Sequence, residues 1–163
     1  MTMKKKTKKK VTKILNKKKP IVVAVSGGFD PIHIGHVRMF NEAKKMGDKL
    51  VVILNNDNWI KHKKGSAFMP DYERKEVIEA LTSVDEVVIT SHPENPEDVS
   101  VCGELELLRP DIFANGGDRK NEGDIPEAAV CKKYGIRMVF NIGKGGKVQS
   151  SSWLLERYKK EKK

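Results

Sequence analysis

Residues 26–36 read Ser-Gly-Gly-Phe-Asp-Pro-Ile-His-Ile-Gly-His, with His33 and His36 three apart across Gly35. Two imidazoles at this spacing, where a loop enters a helix, can meet one phosphate and offer it N–H donors that strengthen as charge builds. Gly27 and Gly28 let the backbone turn sharply and approach a ligand closely, and the free N–H groups of the following helix favour an anion. The chemistry that fits is phosphoryl transfer. A His pair of this spacing would also supply two-thirds of a metal site, and a single histidine is commonly a surface or satisfied core residue.

Three further segments carry groups suited to the same work. Asn55-Asn56-Asp57-Asn58-Trp59-Ile60-Lys61-His62-Lys63-Lys64-Gly65 concentrates ammonium groups, which on one loop can gather round a polyphosphate; a solvated charge run is the alternative. Trp59 is either a packing anchor or part of an acceptor pocket. In Asn115-Gly116-Gly117-Asp118 the glycines allow close approach, and Asp118 can accept from a ribose or acceptor hydroxyl, unless the segment is a plain tight turn. Gly143-Lys144-Gly145-Gly146-Lys147-Val148-Gln149-Ser150-Ser151-Ser152 runs hydroxyls into a helix start, combining an N-cap with free N–H donors for β- and γ-phosphates.

These segments recur after short β-branched runs. Strands are expected at 21–25, 50–54, 86–90, 111–114 and 137–141, and helices at 35–46, 71–82, 99–108, 125–134 and 151–159. Pro70 opens the second helix, with Asp71 and Glu73 in a first turn where carboxylates suit the dipole. Continuous runs such as Val51-Val52-Ile53-Leu54 suit strands buried on both faces. The alternation implies a Rossmann-like, doubly wound three-layer α/β sandwich with a five-stranded parallel sheet, whose ligands sit outside the carboxyl ends of the strands.

The 163 residues fit one domain, with 38% hydrophobic and 33% charged content. Ten lysines and no acid lie in residues 1–19, which accounts for the net +10 and leaves 22 Lys and Arg against 22 Asp and Glu in the rest. The sequence therefore divides into a basic tail over 1–19, expected to be disordered, a domain over 20–158, and a basic end over 159–163. The tail fits weak binding to nucleic acid or another anionic surface, although no aromatic residue is interleaved to stack on bases. No apolar run reaches the roughly 18 residues of a membrane span, and no secretory leader is evident, so a cytoplasmic protein with no membrane association is expected. Cys102 and Cys131 are expected to be reduced helix residues.

The string Gly-Phe-Asp-x-x-His-x-Gly-His at residues 28–36 closely resembles the signature of the cytidylyltransferase-like nucleotidyltransferases. That family includes glycerol-3-phosphate cytidylyltransferase and the domain that makes ADP-heptose. Class I aminoacyl-tRNA synthetases share the HIGH letters, but this length has no room for their additional modules and no Lys-Met-Ser-Lys-Ser string occurs. The resemblance implies transfer of CMP or AMP from CTP or ATP to a phosphorylated polyol or sugar, with release of pyrophosphate. It implies catalytic roles for His33, His36, Lys61 and Lys64, the lysines riding on a mobile loop over the triphosphate. Nucleotide binding falls to Gly27, Gly28, Phe29, Asp30, Gly35, Gly117, Asp118, Lys147, Ser150 and Ser151. Asp57, Trp59 and Arg74 are the acceptor-side residues. For Arg74, in a Glu-x-Arg step, phosphate contact and a subunit interface are both open. Mg2+ is the implied cofactor, with Asp30 contributing directly or through water, and a homodimer is implied. Where the cytidylyltransferase form has an arginine, this sequence has Gly145, and Lys144 or Lys147 stands in. The base, CTP or ATP, stays open, with Gly-Gly-Asp leaning toward ATP. A second reading is a nucleotide-binding module without transfer activity, tethered to nucleic acid by its lysine tail.

Overall fold

The structure, a computed structural model, describes residues 18–117, 122–143 and 149–161. Most of the basic tail lies outside this range, as do Asp118, Lys144 and Lys147.

The chain runs β1 (Val22–Gly27), α1 (Ile34–Lys44), β2 (Lys49–Leu54), α2 (Asp57–Lys64), α3 (Asp71–Glu79) and β3 (Glu86–Ile89). It continues through α4 (Cys102–Leu108), β4 (Ile112–Gly116), a 3-10 turn at Glu122–Asp124, α5 (Ala128–Tyr134), β5 (Arg137–Ile142) and α6 (Ser151–Glu161). The five strands form one parallel sheet in the order β3-β2-β1-β4-β5. Strand order therefore reverses beside β1, and a crevice opens at the carboxyl ends of β1 and β4. This is the Rossmann-like architecture expected from the alternation of elements.

The pleat divides the core. Val23, Val25, Leu50, Val52 and Leu54 join Phe40 and Ala43 of α1 and Ile78 of α3 in one cluster. Ala24, Ile53 and Phe113 join Leu105 of α4 and Cys131 of α5 in another. With helices covering both faces, successive strand residues are all buried, which explains the unbroken apolar runs.

Register is pinned at the amino ends of the strands by three aspartates. Asp48 accepts the Ile21 N–H at 2.8 Å, Asp111 the Val22 N–H at 2.8 Å and Asp85 the Leu50 N–H at 2.7 Å. Each immediately precedes its own strand and satisfies an amide at the start of the neighbouring one. Asp85 also takes the Lys44 ammonium at 2.6 Å. Partial burial pulls its pKa upward, but the Lys44 and Leu50 hydrogen bonds outweigh this and hold the carboxyl below its usual range.

The principal departure from expectation is α2, which occupies a stretch read as a mobile loop. Asn56 caps it by accepting the Trp59 N–H at 3.0 Å, and Gly65, at φ 86°, ends it. Only Ile60 of its eight residues is fully buried, so no helical apolar stripe marks it in the sequence. The expected helices at 99–108 and 125–134 shorten to Cys102–Leu108 and Ala128–Tyr134.

Asp85→Ala removes a charged acceptor from an amide at the sheet edge and should cost about 1–3 kcal/mol in unfolding free energy. Chemical denaturation read by far-UV circular dichroism measures it.

Candidate active site

The carboxyl ends of β1, β4 and β5 and the first turns of α1 and α6 enclose one cleft of about 360 Å³. Its floor is glycine. A Cβ on Gly27 would stand 2.8 Å from the Phe29 ring, and one on Gly28 would stand 2.5 Å from Ile60 Cδ1. Phe29 itself takes φ 49°, and its buried ring meets Phe40 and His36 edge-on at 5.0 and 4.9 Å. That packing holds a left-handed conformation that a bulky residue otherwise avoids.

His33 and His36 close on each other as a capping box. The Gly35 N–H donates to His33 Nδ1 at 3.1 Å, and the His33 N–H donates to His36 Nδ1 at 3.3 Å. An Nδ1 that accepts cannot carry the proton, so each neutral ring has its N–H at Nε2, available as a donor. The rings stack with centroids 3.6 Å apart. Burial first, then His33, then Lys64 push His36 down to about 3, and burial followed by Lys64 lowers His33 as well. The pair is therefore neutral at ordinary pH.

Lys64, the last residue of α2, lines the same cleft and donates to the Asp30 carbonyl at 3.3 Å. Burial lowers its pKa; Asp30 opposes that shift and Arg74 adds to it. Ser150 caps α6 by accepting the Trp153 N–H at 3.2 Å. Ser151 donates its hydroxyl to the Pro31 carbonyl at 2.8 Å, fastening the start of α6 to the β1–α1 loop. With the Trp153 N–H taken by this cap, the Ser151 and Ser152 amides are the ones at this helix start with no intrahelical acceptor, the kind of group that favours an anion. Gly116 gives way to Met39, whose sulfur lies 2.7 Å from where a Cβ would stand.

The structure thus gathers His33, His36, Lys64, Gly27, Gly28, Phe29, Gly35, Gly117, Ser150 and Ser151 around one space. Five expected residues, Asp30, Asp57, Trp59, Lys61 and Arg74, are directed elsewhere. Asp30 is 1% exposed, and its carboxylate accepts the Phe68 and Met69 N–H groups at 2.8 and 2.9 Å. Arg74 is also 1% exposed. Its guanidinium donates to Met69 O at 2.9 Å, Gly28 O at 2.6 Å, Asn55 O at 2.8 Å and Asp57 Oδ1 at 2.7 Å. Its hydrogen bonds within the chain tie three loops together, and Asp57 is its ion-pair partner. Trp59 is a packing anchor whose indole N–H donates to Val99 O at 2.8 Å. Lys61 is exposed on α2 and does not line the cleft. Asp118 and Lys147 lie outside the described residues. Ser26, Asn115 and Ser152, quoted within the motifs but given no role of their own, also line the cleft, as do Arg38 and Met39; following the helix on from His36 would have reached the last two.

Among the described residues no group of three His, Cys, Asp or Glu side chains could hold a metal ion. With both Asp30 oxygens engaged by backbone amides, the donors present do not fit a protein-held Mg2+. No described helix is long and apolar enough to cross a membrane.

Arg74→Ala should cost about 3–5 kcal/mol, because it strands Asp57 and three carbonyls, that of Asn55 buried, and denaturant titration would register the loss. An unfolded imidazole takes its proton near pH 6.5, whereas folded His36 resists until about 3. Stability is thus full above 6.5 and declines as pH falls from there toward 3. Unfolding free energies measured across that window should fall more steeply for the native chain than for His36→Asn.

A family model described as "Cytidylyltransferase-like" matches residues 24–124. An FAD synthase of Ferroglobus placidus is 40% identical over 97 residues, covering 60% of this chain and 59% of the relative. A "Bifunctional protein HldE" of Streptomyces coelicolor is 38% identical over 120 residues, covering 72% of this chain and 24% of the relative. The chain therefore spans less than two-thirds of either. A crystal structure of a lipopolysaccharide core biosynthesis protein from Thermoplasma volcanium superposes with TM-score 0.64 at 25% identity, over 78% of this chain and 100% of that one.

Proposed function

Because the chain belongs to the cytidylyltransferase-like family, we propose that it transfers a nucleoside monophosphate to the phosphate of a phosphorylated small molecule, releasing pyrophosphate. The donor is a triphosphate, ATP in preference to CTP. FAD, the product named by one group of relatives, contains an adenylyl group joined to flavin phosphate. ATP with flavin mononucleotide is therefore the first pair to try, ahead of sugar and polyol phosphates.

The observation that carries this reading is the neutral histidine pair, locked through Nδ1 so that both Nε2–H groups remain donors at the mouth of the cleft. An acceptor phosphate oxygen attacks the α-phosphorus in line, the bond to the bridging oxygen breaks, and pyrophosphate leaves. His33 and His36 donate to the α-phosphate and bridging oxygens, bonds that strengthen as negative charge grows there. Lys64 neutralises one end of the triphosphate. The first-turn amides of α6, ordered by Ser150 and Ser151, receive the other. Lys61, one turn before Lys64, adds positive potential for the incoming anion. Mg2+ accompanies the triphosphate as part of the substrate. No covalent enzyme intermediate is required, so the protein contributes positioning and charge stabilisation. A homodimer and a cytoplasmic location accompany the reading as family-based expectations. No described feature favours an inactive module.

A matrix of four nucleoside triphosphates against flavin, sugar and polyol phosphates, scored by pyrophosphate, should yield turnover with ATP. His36→Ala should keep the fold and lose about 10²–10³ in kcat. Native-like turnover by that variant would remove the histidine from the mechanism.

A further inference from the structure

Helix α1 presents more than His36 to the cleft. Side chains advance by about 100° per residue, so Met39 lies roughly 60° round from His36, and Glu42 and Arg38 lie farther in the same direction. That direction is toward β4 and β5. Met39 fills the space over Gly116, and Glu42 accepts the Gly143 N–H at 2.9 Å. Arg38 therefore stands on the side of the β5–α6 connection, and it lines the cleft together with Gln149, Ser150 and Ser152.

The charge balance makes this position consequential. The imidazoles are neutral, and a nucleoside triphosphate brings a charge of about −3 to −4, of which its Mg2+ offsets about two and cationic side chains the rest. Among the described lining residues the cations are Lys64 and Arg38. Lys64 donates to the Asp30 carbonyl at 3.3 Å and lies close enough to His33 and His36 to lower the pKa of both, whereas Arg38 lines the cleft with Gln149, Ser150 and Ser152. Arg38 is exposed and has no hydrogen bond or ion pair with a described residue. A guanidinium presents a planar fork matched to two phosphate oxygens.

We infer that Arg38 is the arginine that grips the β- and γ-phosphates, acting with the first turn of α6. This rests on the nucleotidyl-transfer reading and adds to Lys64 a second cation, from α1. The contact exists before and during transfer, since pyrophosphate stays on the same groups as it leaves. Its loss should therefore appear mainly in triphosphate affinity and pyrophosphate inhibition, and less in kcat.

The test compares the full native chain with Arg38→Ala and Arg38→Lys, measuring Kd for ATP, AMP and pyrophosphate by calorimetry and the KM for ATP by pyrophosphate release. Arg38→Ala should weaken ATP and pyrophosphate about 10–100-fold, the span of a lost charge-assisted contact. AMP should stay within about twofold, and Arg38→Lys should recover part of the loss. Unchanged ATP affinity in a native chain that binds and turns over ATP would overturn this inference and leave the transfer reading intact. An equal loss for ATP and AMP would overturn the assignment to the distal phosphates. Failure of the native chain to bind any triphosphate would overturn both.

Discussion

One buried guanidinium holds the candidate site in register with the sheet. Arg74 reaches back from the first turn of α3 to carbonyls in the loop after β1 and at the end of β2, and to Asp57 at the start of α2. The loops it binds are irregular backbone, and buried carbonyls without donors would be costly. A lysine could satisfy them only from a point, whereas a planar fork addresses several at fixed angles. Gly28, whose carbonyl Arg74 holds, is the residue against which α2 packs through Ile60. The position of Lys64 at the far end of that helix therefore depends on the same clamp.

Asp30 completes the arrangement from the other side. By accepting two amides from the segment leading into α3, it closes the β1–α1 loop over the α2–α3 connection. Ser151 fastens the start of α6 to the neighbouring Pro31. The two helix starts that line the cleft, α1 and α6, are thus joined through one short loop, although they lie at opposite ends of the chain. What this rigidity delivers is a pair of imidazoles whose donor nitrogens are fixed in advance. Neutral rings suit a half-buried wall, because charged ones would carry a desolvation cost before any anion arrived. Permanent charge is left to groups nearer the solvent.

Much of this architecture was legible beforehand. Apolar runs alternating with helical periods specify a parallel sheet, since only strands covered on both faces tolerate them. Paired glycines, the histidine spacing and the serine run marked three walls of the cleft, since each works through local backbone geometry that neighbouring residues encode. Helix α2 was misread because its length of buried apolar surface is one isoleucine, and its charged residues dominate the pattern. Asp30, Asp57 and Arg74 were read as ligand contacts for a related reason: a polar residue in a motif has the same letter whether it faces substrate or another loop.

The sequence by itself determined the class of fold, the order of its elements and the loops able to receive phosphate, because those depend on periodicity and on steric freedom within a few residues. Tertiary structure alone decided which polar groups remain for a ligand. Arg74 meets Gly28 across 46 positions and Ser151 meets Pro31 across 120. Hydrogen-bond capacity is finite, so whichever partner the fold brings into reach uses it. Among the described residues the fold leaves at the cleft the two Nε2–H donors, the Lys64 ammonium, the first amides of α6 and the side chain of Arg38, and no local pattern of letters distinguishes those from the groups it consumed.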